Sequence, residues 1–409
     1  MANMHPEPVS ILETRRARTS ATLLLLAALF TLIGAATAFA QDFRGIHYAI
    51  ARNALHGPQW TSSWRQTDDC TLQKSCQIQF DDRLSVVFLR YKWAVLNPAE
   101  NSYRFDEIGR QLDEITAAGK KVSIVIMAGK YTPAWLMRKG VLHHRIPLTV
   151  HAREKQEGSA QQWVPAPWDP AFIEEYGKVH RKLARFLRSN PRWYDAVVLV
   201  KVAGIAVHSP EIRLNGPKAF VGKSGGDPSR RQQQFQMNAK LCEAWLEIGY
   251  SEDKVLQASR RLTSVVDQAF PDKPLGMAFV PGSRRFPTIK QGWRCAPRAK
   301  NRTLNKILRQ FVSDYNRRAV INSTIFHTGG GYPRILEWAK SNGAHIGLQL
   351  NAQRLGCRNP ASRCDAGEMA AALNEAVRLG ASFVEVHNGN IQRYRTLLSK
   401  TDKALRGRR

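Results

Sequence analysis

The chain has 409 residues and a formal charge of +28, from 61 Lys and Arg against 33 Asp and Glu. That length holds one large domain or two ordinary ones. The basic residues are spread along the chain with no nucleic-acid motif beside them, which excludes a specific nucleic-acid partner. The excess charge fits either solubility with adhesion to an anionic envelope, or an acidic polymer such as a uronic-acid polysaccharide as substrate.

The N-terminus reads as a processing segment. Arg15, Arg16 and Arg18 precede an apolar run from Ala21 to Ala36, and Ala38-Phe39-Ala40 stands before Gln41. Small residues around an aromatic fit a signal-peptide cleavage site. Residues 1–40 are therefore expected to be a signal peptide and 41–409 a single domain. The alternative is an uncleaved anchor. No later segment is apolar enough to span a bilayer. The expectation is a secreted or periplasmic protein with no integral membrane span after cleavage. Six cysteines suit an oxidising compartment. Proximity pairs Cys70 with Cys76 and Cys357 with Cys364, leaving Cys242 for Cys295, one of fifteen connectivities. No spacing matches a zinc site, so no metal or cofactor is expected.

Taken in order, Gly45 to Ile50 is the first apolar strand. Ser85 to Leu89 is the second. A helix follows from Phe105 to Ala118, with Phe105, Ile108, Leu112 and Ile115 on one face. The third strand is Lys121 to Gly129, and residues 138–168 form a long irregular loop. Asp169-Pro170 opens a helix, with Asp as N-cap and Pro at N1. Its inner stripe is Phe172, Tyr176, Val179, Leu183 and Phe186, and Asn190-Pro191 ends it. The fourth strand is Ala196 to Gly204. Helices over 229–248 and 252–269 lead to the fifth strand, Leu275 to Val280. The sixth is Ala319 to Phe326, after a helix from Leu304 to Arg318. The seventh is Ala344 to Leu350, and the eighth Ser382 to His387, with a basic helix last. Eight apolar strands alternating with helices define an α/β (β/α)8 TIM barrel. An open doubly wound sheet would need a glycine-rich phosphate turn after the first strand, and none is present.

One group of motifs is more specific. Arg90-x-x-Trp93, Pro98 and Tyr103-x-Phe105-Asp106 are followed by Ala118-Gly119-Lys120-Lys121-Val122 and Pro133-Ala134-Trp135-Leu136. This pattern, over about 85–190, resembles the first half of clan A glycoside hydrolases, nearest the β-galactosidase-like ones. The whole chain also resembles a family of uncharacterised secreted bacterial glycosidase-like proteins. The resemblance implies a retaining glycosidase with two carboxyl groups at the C-terminal rim of the barrel. In the clan, the acid/base is a Glu after an Asn at the end of strand four. Here that strand ends Val202-Ala203-Gly204, and the next Glu is Glu211. The clan's nucleophile is a Glu ending strand seven, where this chain has Gln349.

Two carboxylates remain as candidates: Glu211 as acid/base and Glu385, on strand eight, as nucleophile. The plain alternatives are a loop carboxylate paired with Arg213, and a buried structural acid held by a barrel Arg or Lys. Alternation puts Phe383, Glu385 and His387 on one face of the last strand. Arg90 would orient the nucleophile. Trp93, Tyr131 and Trp135 would stack on sugar faces. His208, His327 and His387 stand at strand ends, where a rim site places hydrogen-bonding groups. His47 and Tyr48 are weaker candidates of that kind. The expected function is an exported glycoside hydrolase acting on a polysaccharide or oligosaccharide, with anionic polymers among its partners. A glycan-binding barrel that does not cleave is the alternative, and an envelope protein acting through charge alone is the third.

Overall fold

The computed structural model describes residues 43–49, 84–145, 163–207, 209–215, 228–281, 285–290, 294–296, 302–326, 334–350, 366–386 and 394–407. They fall in one compact unit, Phe43–Arg409. The expected signal segment and the Cys70/Cys76 and Cys357/Cys364 pairings lie outside the described residues. The third pairing is present: Cys242 and Cys295 form a disulfide with Cα atoms 6.0 Å apart.

Eight strands alternate with helices. They are β1 (Gly45–Ala49), β2 (Val86–Lys92), β3 (Lys121–Met127), β4 (Val197–Lys201), β5 (Leu275–Phe279), β6 (Ala319–Phe326), β7 (His345–Leu350) and β8 (Phe383–Val386). Each pairs in parallel with the next, and β8 pairs with β1, so the sheet closes into a (β/α)8 barrel. Apolar runs form these strands because both faces are buried, one against the helices and one inside the barrel.

The helices carry the amphipathic stripes that the sequence predicts. In Asp106–Ala117, Ile108, Leu112 and Ile115 are buried. In Pro170–Arg188, Phe172, Tyr176, Val179 and Leu183 are buried, while Phe186 is only partly covered. Asp169 caps the latter helix by accepting from the Phe172 amide at 3.0 Å. The Tyr176 hydroxyl reaches two strand ends. It donates to the Ile126 carbonyl at 3.0 Å and accepts from the Ala203 amide at 3.1 Å.

Three local expectations change. β2 continues through Lys92, because Arg90, Tyr91 and Lys92 stay in register with Val125, Ile126 and Met127. Arg90 is therefore a strand residue rather than part of the following loop. Asn190-Pro191 ends one helix and starts another, Pro191–Ala196, with the Asn190 side chain accepting from the Arg192 amide at 3.1 Å. The loop over 138–168 contains paired strands, His143–Arg145 against Trp163–Pro165.

Inside the barrel, Phe43, Val86, Leu199, Val320 and Phe383 form an apolar floor. Two glycines make room for larger side chains. A Cβ on Gly347 of β7 would run into the Phe383 ring, and one on Gly276 of β5 would lie 2.9 Å from Lys201 Cγ. Gly347→Ala is expected to cost about 1–3 kcal/mol through overpacking. A fall in the urea midpoint checks this; an unchanged midpoint would mean that the Phe383 ring does not fill that space.

Candidate active site

The C-terminal half of the barrel interior is polar. β4 is apolar until its last residue, Lys201, and β8 is apolar except for Glu385. Alternation turns both side chains inward, where they meet. The Lys201 ammonium donates to Glu385 Oε1, with 1% and 0% of the two side chains exposed. Gln349 Nε2 donates to the other oxygen, Oε2, at 2.9 Å. His47, Glu385 and Gln349 are register partners across β1, β8 and β7. Arg90 and Lys201 both oppose Val125 of β3. Lys201 Nζ also lies 3.8 Å from the Phe88 ring centroid and 5.5 Å from that of Phe383. Aromatic faces favour a desolvated cation.

Burial alone would raise the Glu385 carboxyl. The charge and hydrogen bond of Lys201 outweigh it, with smaller help from His47 and Asn322, and hold the carboxyl below its ordinary value. Burial pulls the Lys201 ammonium down, while Glu385 pulls it back up. His47 lies flat on Phe383, with ring centroids 4.0 Å apart, and its Nε2 donates to the Phe43 carbonyl at 2.7 Å. Burial drops its pKa to about 3, so it is neutral.

Glu211 sits on the segment after β4. That segment is pinned at the mouth: the Ile212 amide donates to the Ala278 carbonyl at 2.9 Å, and the Arg213 amide to that of Ile205 at 3.1 Å. Arg213 Nη2 lies 3.3 Å from Glu211 Oε2 and also donates to Ser209 Oγ at 2.7 Å. Burial lowers the Arg213 guanidinium, and Glu211 opposes the shift. The Glu211 side chain is 15% exposed, and its charge is felt at Lys201. Glu385 touches that ammonium directly, whereas Glu211 is the weakest of the influences on it.

The structure sorts the other expected residues. Glu385, Gln349 and Arg90 belong to the polar interior. Trp93 does not serve as a sugar platform: it is fully buried, packed between Phe172 and Tyr176. It opens the short helical turn Trp93–Leu96. Tyr131 and Trp135 are mostly buried as well, at 6% and 7% exposed. Tyr131 has the ammonium groups of Lys92 and Lys130 near its ring, and Trp135 Nε1 donates to the Asn97 carbonyl at 3.0 Å. His208, His327 and His387 lie outside the described residues. Lys201 is the interior charge missing from the sequence reading. Its signal was available: a lone lysine closing the apolar run Val197-Val198-Leu199-Val200. Among the described residues, no group of three or more His, Cys, Asp or Glu could hold a metal, and no helix is long and apolar enough to cross a membrane.

The geometry defines a (β/α)8 barrel with a charged interior at its C-terminal end. Residues 62–202 match the model of glycoside hydrolase family 42, described as beta-galactosidase. A beta-galactosidase from Arthrobacter sp is 31% identical over 135 residues, which are 32% of this chain and 18% of that protein. The catalytic domain of beta-amylase from Paenibacillus polymyxa aligns with a TM-score of 0.53 at 10% identity, covering 86% of this chain and 93% of its own. A beta-galactosidase from Rahnella sp. R3 aligns with a TM-score of 0.49 at 14% identity, covering 89% of this chain and 56% of its own. The resemblance expected over 85–190 is therefore found, in a segment that runs through β2, β3 and β4. It ends one residue past Lys201, before Glu211, Gln349 and Glu385.

Two measurements test these electrostatics. Glu385→Gln leaves the Lys201 charge buried without its counterion, and is expected to cost about 3–5 kcal/mol in denaturant unfolding. Replacing both partners, as Lys201→Met with Glu385→Leu, is expected to recover most of that loss. A double variant no more stable than the single one would contradict the ion pair. The second test is acid unfolding. Burial lowers His144, His180 and His345 to about 4, as it lowers His47. These histidines are neutral when folded but protonate near pH 6.5 when unfolded. Their contribution is therefore fully present above about pH 6.5 and is lost as pH falls toward 4. The melting temperature should fall through that window, before ordinary carboxylates titrate; a flat profile down to about pH 4.5 would contradict it.

Proposed function

We propose that the protein is a glycoside hydrolase that acts on a polysaccharide at the C-terminal face of its barrel. One observation carries the reading: a buried carboxylate, Glu385, is held by Lys201 and Gln349 in the polar C-terminal half of the barrel interior. Glycoside hydrolysis uses one carboxyl group to protonate the leaving oxygen and another to attack the sugar or activate water. Glu211, partly exposed beside Arg213, is placed to meet a leaving oxygen. Glu385 is the second carboxylate, oriented by Lys201 and Gln349. Arg90, Tyr131, Trp135, His208, His327, Gln349 and His387 are the proposed sugar-contacting residues. The match of residues 62–202 to a beta-galactosidase family supports a sugar substrate. The +28 charge supports an acidic polymer, and the leader-like residues 1–40 support export.

A second reading has its own support. Glu385 is fully buried and both of its oxygens are engaged. That suits a barrel that binds glycans without cleaving them.

The test is hydrolysis of neutral and uronic-acid polysaccharides by wild type, Glu211→Gln and Glu385→Gln, counted as new reducing ends. Wild type is expected to release them. Loss of the general acid is expected to slow release by about 10²-fold or more. Binding without reducing ends would leave the glycan-binding reading. Cleavage that survives both substitutions would remove these carboxylates from the chemistry.

A further inference from the structure

We propose that Lys201 is the positioning residue of this site: it fixes Glu385 as an anion and so leaves Glu211 as the carboxyl group that exchanges a proton. The assignment to Glu211 rests on the hydrolase reading. The hold on Glu385 does not.

The hydrogen bonds carry the first half. Glu385 Oε1 accepts from an ammonium and Oε2 from the amide nitrogen of Gln349. The ammonium has no atom that accepts a carboxyl proton, and Gln349 could accept one only by turning its amide and withdrawing the Nε2 bond. A protonated Glu385 would have to give up one of them, in a place closed to solvent. Lys201 is itself held in place. Its stem crosses the gap left by Gly276, where a Cβ would lie 2.9 Å from Cγ, and its charge rests against Phe88 and Phe383. Three further titratable groups face the pair: His47 from β1, Arg90 from β2 and Glu211 from the loop after β4. His47 is engaged with the Phe43 carbonyl, and Arg90 pushes Lys201 down while Glu211 pushes it up. Lys201 is the cation that touches Glu385. Glu211 lies at the mouth, where a leaving oxygen and solvent can reach it.

Gly276→Ala gives a gentle probe, since it adds no charge and must displace the Lys201 stem. Lys201→Met removes the charge outright. Infrared difference spectra against Glu385→Gln isolate the Glu385 carboxyl, and each variant is titrated from about pH 3 to about pH 8. In wild type, Glu385 is expected to stay a carboxylate to below the ordinary glutamate range. In Lys201→Met its midpoint should rise by at least about two pH units. In Gly276→Ala it should rise by a smaller amount, with the folded circular dichroism spectrum kept. A midpoint unchanged in Lys201→Met would overturn the proposal; if that variant does not fold, an unchanged midpoint in Gly276→Ala would do so. If wild type hydrolyses glycans, the acidic limb of kcat should move up with Glu385 in Gly276→Ala; a limb that stays put overturns the division of roles. A raised infrared midpoint with no hydrolysis by wild type would sink the hydrolase reading and leave the hold of Lys201 on Glu385 intact.

Discussion

Two opposite charges meet in the polar C-terminal half of a barrel whose floor is apolar, and much of the interior is arranged around them. Removing an ammonium and a carboxylate from water costs several kcal/mol for each ion. Their mutual attraction offsets that only if the remaining lone pairs are also met. Gln349 meets the second carboxylate oxygen, Phe88 and Phe383 cover the cation, and Gly276 clears the path for the lysine stem. Five strands thus contribute to one contact. A pair of well-packed hydrophobes of similar volume would be as stable or more so. Retaining a charged pair here is weak evidence for stability and better evidence for a use.

The position of that pair gives it meaning. The C-terminal end of a parallel barrel is where side chains from different strands converge under variable loops. The segment resembling beta-galactosidases ends at residue 202, next to Lys201. Glu211, Gln349 and Glu385 all lie beyond that match. The first half of the barrel supplies a familiar frame, and the second half supplies Glu211, Gln349 and Glu385 in a different arrangement. Resemblance therefore speaks to the frame, while any chemistry has to be judged from these side chains.

The fold was legible in the sequence because most of the eight strands are largely apolar runs and several helices between them, such as Asp106–Ala117 and Pro170–Arg188, keep an amphipathic period. Asp169-Pro170 also announced its helix correctly, since a cap and a fixed φ are local properties. The interior site was only half legible. Glu385 stood out as a charge inside an apolar strand. Lys201 carried the same signal but lay at a strand end, where a lysine is usually solvated. Nothing local says that residues 201 and 385 meet; closure of the sheet brings them together. Trp93 misled for a related reason. An aromatic after a strand suits a sugar platform or a core position equally well, and here Phe172 and Tyr176, from the helix Pro170–Arg188 far along the chain, cover it.

The backbone at the mouth has a mechanical side. Gly129 has a φ of +63°, and a Cβ there would collide with the carbonyls of Ala206 and Val207. The next residue, Lys130, donates its amide to Val207 at 2.8 Å. Further along the same segment, Ile212 is tied to β5. The turn bearing Tyr131 and the stretch bearing Glu211 are thereby riveted into one plate rather than left as two independent flaps. Reshaping such a mouth would require changes on both sides of the rivet at once, because a shift in either turn is handed to the other.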